Sequence, residues 1–297
     1  MSIGDLESGV EQLVADDLAV DDTRPHRREP LWRSLTHGQG LVGLVLVGVI
    51  AVAGVLAPLL ASYDPLAQIP GANLLGPSAD HWLGTDQVNR DVASRVLYGI
   101  RISLVIAVLS VPVGAVVGGL LGLVATTHPL ADVVTQRAFD IVLAFPALIL
   151  GIMAAAIIGP GQVTVGVVIA AAEVPVFGRL VRTAVLTVRE QPFVEAAEVI
   201  GARRWWILRT HVLPNAIESA GVQIALSLSL AVFVESAMSF IGIGVRPPEP
   251  SLGSLVADSI PNLDANYAYA VGPLVVVSLL VLGFLLIAQA LGKARRS

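Results

Sequence analysis

Six stretches, at about 40–61, 101–126, 136–158, 163–185, 217–243 and 269–291, run for twenty or more residues with few charges. This pattern restricts the fold more than any other feature. A helix needs about 20 apolar residues to cross a hydrocarbon layer of about 30 Å. Inside that layer every backbone N–H and C=O must be satisfied without water, which favours helices. The expected fold is all-α: a polytopic membrane domain over 39–297 with about six transmembrane helices. Charged residues are only 14% of the chain, against about 25% in soluble domains.

The segments between the runs set the organisation. Residues 1–38 form a polar tail. Its first part carries Asp5, Glu7, Glu11, Asp16, Asp17, Asp21 and Asp22. With little apolar surface to bury, it is expected to be partly disordered. Arg24 to Arg33 then supply basic charge at the foot of the first helix. The tail is not the short basic leader of a cleaved signal peptide. A longer polar excursion covers about 62–99, and a polar, basic loop covers about 186–216.

Six crossings put both ends of the chain on one side. Of the 18 Lys and Arg, Arg90, Arg95, Arg101 and Arg246 fall on the opposite side, and the other fourteen fall with the ends and the 186–216 loop. Basic residues favour the cytoplasm. Both termini and that loop are therefore expected to be cytoplasmic, with 62–99 outside. The second run carries Gly114, Gly118, Gly119 and Gly122, small residues that let backbones approach closely. Two uses stay open: packing within this chain, or pairing with a second membrane subunit. Pro112, Pro146 and Pro175 lie inside apolar runs. They are expected as kinks or hinges whose freed carbonyls find other partners.

In the 186–216 loop, Glu195-Ala196-Ala197 is followed by Gly201 and then by His211, Leu213 and Pro214. Good helix formers precede a glycine that turns the chain, so the local reading is helix, turn, helix. This spacing resembles the EAA motif of bacterial ABC importer permeases, E-A-A-x3-G-x9-I-x-L-P. The His-x-Leu-Pro-Asn ending is similar to the dipeptide/oligopeptide/nickel branch. Residues Leu83 to Leu104 resemble LGTDxxGRDVxSRxxYGxRxSL of the same branch, with Asn89 in place of Gly. Asn tolerates left-handed backbone better than most residues. The charges of this stretch either pair among themselves or meet a soluble partner. Pro175 to Arg182, Glu235 to Gly244 and Pro250 to Gly253 resemble further branch motifs, with Val174, Phe177, Gly178 and Leu252 as departures.

The resemblance implies an ABC type I importer permease fold in a bacterial cell membrane. It implies a subunit without catalytic residues. Glu195, Ala196, Ala197, Gly201, His211, Leu213 and Pro214 would couple it to two ATPase subunits, which bind ATP and Mg. A homologous second permease and an extracytoplasmic solute-binding protein complete the implied complex; membrane lipid surrounds it, and no nucleic acid is involved. The implied cargo is di- or oligopeptide, with nickel as the alternative. The chain itself has no G-x4-G-K-[ST] phosphate loop and no H-E-x-x-H metal pair, so no cofactor is expected on it. Two rival classes are a secondary transporter, which should show repeat symmetry with paired broken helices, and an intramembrane enzyme, which would need a catalytic pair within the helices drawn from Glu173, Glu235 or Asp140; neither explains the Glu195 to Asn215 loop. Glu173 and Glu235 lie within the apolar runs, where acids usually face the protein interior or a wet cavity. Glu173 matches no branch motif. It either borders the translocation path, offering a negative site to a cationic cargo group, or is hydrogen-bonded within the bundle.

Overall fold

The computed structural model describes residues 31–192, 194, 210 and 213–296. The described residues are helical, apart from loops and an isolated bridge between Thr85 and Asp91. In chain order the helices are α1 (Leu31–Thr36), α2 (Gly38–Val55), α3 (Ala57–Leu60), α4 (Val92–Ala125), α5 (Pro129–Leu143), α6 (Ala147–Ile158), α7 (Gln162–Arg189), α8 (Leu213–Phe240), α9 (Leu252–Ser259) and α10 (Tyr267–Arg296). Helices α2, α4, α7, α8 and α10 are each long and apolar enough to cross a membrane.

The α4–α7 contact is the most extensive in the molecule, and its geometry follows from a four-residue glycine repeat. A Cβ on Gly114 would lie 2.6 Å from the Ala170 carbonyl oxygen and 2.6 Å from the Glu173 Cβ. One on Gly118 would run into the Val174 carbonyl, and one on Gly122 into the Gly178 carbonyl. Positions on the two helices advance together, so α4 and α7 run parallel at backbone contact. Gly119 turns away and would meet only a Val181 methyl at 3.6 Å. Three of the four glycines therefore serve packing within this chain.

Two parallel helices close in sequence require the chain to cross back between them. The return is the pair α5 and α6, bent by 90°. The expected single helix over 136–158 is thus corrected to a broken crossing. The cause is Pro146, which disfavours helical backbone in the residue before it and stands as the N-cap of α6. Pro112 and Pro175 lie inside α4 and α7, which run on through them. Helices α2 and α10 are antiparallel: Gly40 abuts Ala290, and Gly43 abuts Gly283 and Leu286. With the broken pair counted as one, the described chain makes six crossings. Residues 38 and 296 then share an end with the α7–α8 connection.

Three further boundaries differ from expectation. Helix α4 starts at Val92, so the polar excursion spans 61–91 rather than 62–99. Its first turns are polar and invisible to hydropathy, but Asp91 caps them by accepting from the Ser94 N–H. The loop expected over 186–216 narrows, because α7 continues to Arg189 and α8 begins at Leu213. Within the expected tail, residues 31–36 are helical and pack on α2 and α10.

Gly118→Leu is expected to destabilise the bundle, since overpacking costs about 1–3 kcal/mol even where side chains can yield and here the obstacle is backbone. Gly119→Ala should be nearly neutral. Thermal unfolding of the two detergent-solubilised variants checks this; equal midpoints would disprove the assigned faces.

Candidate functional site

At the end shared by residues 38 and 296, the chain leaves α7 at Arg189 and re-enters the bundle at Leu213. Glu195, Ala196, Ala197, Gly201 and His211 lie outside the described residues. Leu213 and Pro214 form the start of α8, a position where Pro loses no intrahelical bond. The stem of the connection is anchored. Val194 is buried with Val185 and Val188, against Leu123 and Val181. Arg189 Nη1 donates to the Thr126 carbonyl at 2.8 Å, tying α7 to the end of α4.

The same end carries two ion pairs between α7 and α5. Arg182 holds Asp132 with both Nε and Nη2, each at 2.6 Å. Arg179 Nη2 donates to Asp140 Oδ1 at 2.6 Å, and Arg137 reaches the other oxygen at 3.4 Å. These groups are partly exposed, so each pair contributes about 0–1 kcal/mol. Their effect is directional: they fix α5 across the half of α7 nearest the α7–α8 connection.

Both intramembrane acids face the protein interior. Glu235 is fully buried and accepts from Ser103 of α4 at 2.5 Å, from Ser239 at 2.9 Å and from Ser236 at 3.4 Å. Glu173, 4% exposed, accepts from Ser227 of α8 at 2.6 Å, and Gln223 Nε2 donates to that serine at 3.3 Å. The two carboxyls do not bond each other; each has its own serines. The sequence reading named the acids but not these partners. Only Ser239, one helical turn after Glu235, carried a local signal.

At the opposite end, residues 62–91 fold into a cap on α4. Asp86 is fully buried. It accepts from the Val88 and Arg90 N–H groups at 2.9 Å each and from Arg90 Nε at 2.7 Å. Asp91 takes the Ser94 N–H and hydroxyl at 2.7 Å each and lies 2.9 Å from His81 Nδ1. Arg95 Nη1 donates to the Pro65 carbonyl at 3.1 Å and the Pro248 carbonyl at 3.4 Å. Asn266 Nδ2 holds the Leu83 carbonyl at 3.0 Å and the Leu75 carbonyl at 3.2 Å. Asn89 adopts φ +66°, keeping the turn where the branch has Gly. Burial pushes the nearby Asp258 carboxyl above the usual carboxylate range, opposed by Arg95 and Arg90. Apart from exposed Arg101, the charges of the motif therefore pair within the cap.

A bundle of this kind, with a connection on one face and a folded cap on the other, defines a polytopic membrane component. Its relatives make the class specific. Residues 110–297 match the family model of the binding-protein-dependent transport system inner membrane component. Residues 31–77 match that of the N-terminal transmembrane domain of oligopeptide transport permease C. The chain belongs to the binding-protein-dependent transport system inner membrane component family. It is 36% identical over 255 residues to a dipeptide transport system permease protein DppC of Alkalihalophilus pseudofirmus, covering 86% of this chain and 84% of that one. A glutathione transport system permease protein GsiD of Pectobacterium atrosepticum is 35% identical over 260 residues, covering 86% and 84%. A di/tripeptide transport system permease protein DppC of Pseudomonas aeruginosa is 37% identical over 243 residues, covering 79% and 80%. Among solved structures, the MetNI methionine ABC transporter in an inward-facing conformation aligns with a TM-score of 0.54 at 21% identity, over 68% of this chain and 95% of that one. An amino acid ABC transporter aligns with a TM-score of 0.56 at 15% identity, over 69% and 95%. These two share the fold.

Glu235→Leu is expected to destabilise the bundle, because buried Ser103 and Ser239 lose their acceptor and each stranded group costs about 1–3 kcal/mol. Glu235→Gln retains an acceptor and should lose much less. Chemical or thermal unfolding in detergent distinguishes them; similar losses would show that the serine bonds contribute little.

Proposed function

We propose that this chain is one permease subunit of an ATP-driven importer of di- or oligopeptides. The observation that carries the cargo class is the identity of 36% to a dipeptide permease, extending over 86% of the chain. The relatives named above carry dipeptides, di/tripeptides or glutathione, which favours peptide over nickel. Family membership likewise disfavours a secondary transporter. The partners are a second, homologous permease, two ATPase subunits that bind ATP and Mg, and an extracytoplasmic solute-binding protein. No reacting group is required of this chain.

In this reading the segment from Glu195 to Pro214 docks on an ATPase subunit. Glu195, Ala196 and Ala197 lie in the first docking helix, Gly201 sets its turn, and His211, Leu213 and Pro214 lead into α8. The supporting geometry is that both stems belong to bundle helices: α7 enters the segment at Arg189 and α8 leaves it at Leu213. Closure of the ATPase pair would then act on α7 and α8 together. Glu173 matches no branch motif, and in this reading it borders the path and offers a negative site to a cationic cargo group. Glu235 holds α4 to α8 beside that path.

ATP-dependent uptake of labelled peptides into proteoliposomes, with all subunits purified together, tests the assignment. Gly201→Val is expected to lower uptake at least tenfold and to weaken ATPase recovery while the subunit still inserts. Glu195→Lys should act in the same direction. Glu173→Gln should slow cationic peptides selectively and leave basal ATP hydrolysis unchanged. Normal uptake and normal ATPase recovery by Gly201→Val would overturn the coupling role.

The orientation has a separate test. Asp86 is buried and is a poor reporter, whereas Gln68 and Gln191 are exposed at opposite ends. The native chain has no Cys, so Gln68→Cys and Gln191→Cys each carry one thiol. A membrane-impermeant maleimide should label position 68 in intact cells and position 191 only after lysis. The reverse pattern would invert the topology.

A further inference from the structure

The exposed side of α2 is a continuous apolar stripe. Val42, Val45, Val49, Val52 and Val55 follow at three- or four-residue steps, which places them on one helix face, and each is more than half exposed. Leu59 of α3 extends the stripe and is 81% exposed. Residues 42–55 span about 20 Å at 1.5 Å per residue. In a helix of mean hydropathy 2.2, such a face suits acyl chains.

At its outer end this stripe meets the cap. Leu60, Leu97 and Trp82 line one small depression with Asp80 and Ser94. Trp82 is 74% exposed although its neighbours His81, Gly84 and Thr85 are buried. An indole left outside a closely bonded cap is not there for the cap's own packing. A second aromatic stands at the same level. Tyr267 is 68% exposed, and the adjoining Asn266 holds the Leu83 carbonyl, next to Trp82, at 3.0 Å. Trp and Tyr concentrate at membrane–water interfaces, where an apolar ring and a polar tip are both satisfied.

We propose that the 62–91 cap is seated on the outer leaflet, with Trp82 inserted at the phospholipid headgroup level. Its ring closes the outer end of the α2–α3 stripe, and its indole N–H faces the lipid carbonyl and phosphate oxygens. The occupant is phospholipid because an exposed indole beside the end of an apolar spanning helix, with exposed Tyr267 at the same level, matches the headgroup region, where an apolar ring and a polar N–H are both satisfied. The cap then has two jobs in one fold. Its buried carboxylates and arginines organise the mouth of α4, and its exposed indole sets how deep the bundle sits.

The absence of native Cys makes the test direct. Trp82→Cys, Leu59→Cys and Gln68→Cys are spin-labelled one at a time in the protein reconstituted, with its accompanying subunits, into phospholipid nanodiscs. Collision rates with oxygen, which partitions into lipid, are compared with those of a water-soluble nickel chelate. Positions 82 and 59 should favour oxygen severalfold, and position 68 should favour the chelate. A second measurement keeps the native side chain: the emission lost on Trp82→Phe should be strongly quenched by phospholipid brominated near the headgroup. A chelate-dominated, unquenched position 82 would put the cap in water. Protection of position 82 from both reagents would assign the depression to a protein partner. Either result overturns the proposal.

Discussion

The structure depends on backbone-on-backbone contact between α4 and α7. Lipid tails are as apolar as leucine, so burying apolar side chains gives little net drive for helices to associate in a bilayer. Close approach of two backbones supplies that drive through dispersion and shape. Gly114, Gly118 and Gly122 permit it because nothing larger than hydrogen fits between them and the opposing carbonyls. The parallel sense follows from which carbonyls they meet. From it follows the need for a return crossing between Ala125 and Gln162. Much of the remaining topology is arranged round this pair: α8 packs on both helices, α10 on α8, and α2 on α10.

Polar groups in such a bundle are used sparingly, where apolar packing cannot choose a register. Glu235 links α8 to α4 through Ser103, and Glu173 links α7 to α8 through Ser227. Each acid is matched to hydroxyl donors, so no carboxyl is left alone in a medium where that would cost several kcal/mol. The 62–91 cap solves the same problem by a different route. Where α4 emerges as a polar helix, backbone N–H groups, arginines and Asn266 satisfy its carboxylates and carbonyls.

Much of this was legible in the chain, and the exceptions have physical reasons. Apolar length identified the crossings because the bilayer leaves few alternatives. The break at Pro146 was visible as a residue but not as a bend, since hydropathy runs unbroken from Ile141 to Ile158. The start of α4 was placed late because its first turns are polar and its signal is a cap, Asp91 with Ser94, not a periodicity. The glycine repeat announced close packing but not the partner, which lies about 56 residues away in sequence. The serine partners of the acids were illegible for the same reason: Ser227 is 54 residues from Glu173 and Ser103 is 132 from Glu235. The turn at Asn89 was legible because left-handed backbone is a local property. The coupling motif was read from spacing alone, and most of it lies outside the described residues.

The broken crossing and the glycine contact bear on each other. A displacement of the 190–212 segment reaches the bundle first through the ends of α7 and α8. Helix α4 is coupled to α7, because the close approach at Gly114, Gly118 and Gly122 leaves no room for a side chain between them. Helix α5 follows as well, held by Asp132–Arg182 and Asp140–Arg179. Helix α6 is separated from α5 by the break at Pro146; it packs on α7 and also on α8, where its Gly151 rests on Met238. A flexible thioether accommodates sliding better than a backbone contact does. Of the two halves of the broken crossing, α5 is tied to α7 by ion pairs, whereas α6 packs on α7 and α8 together. The 90° bend at Pro146 lets one crossing present two differently directed halves to these partners, which a straight helix of the same composition could not do.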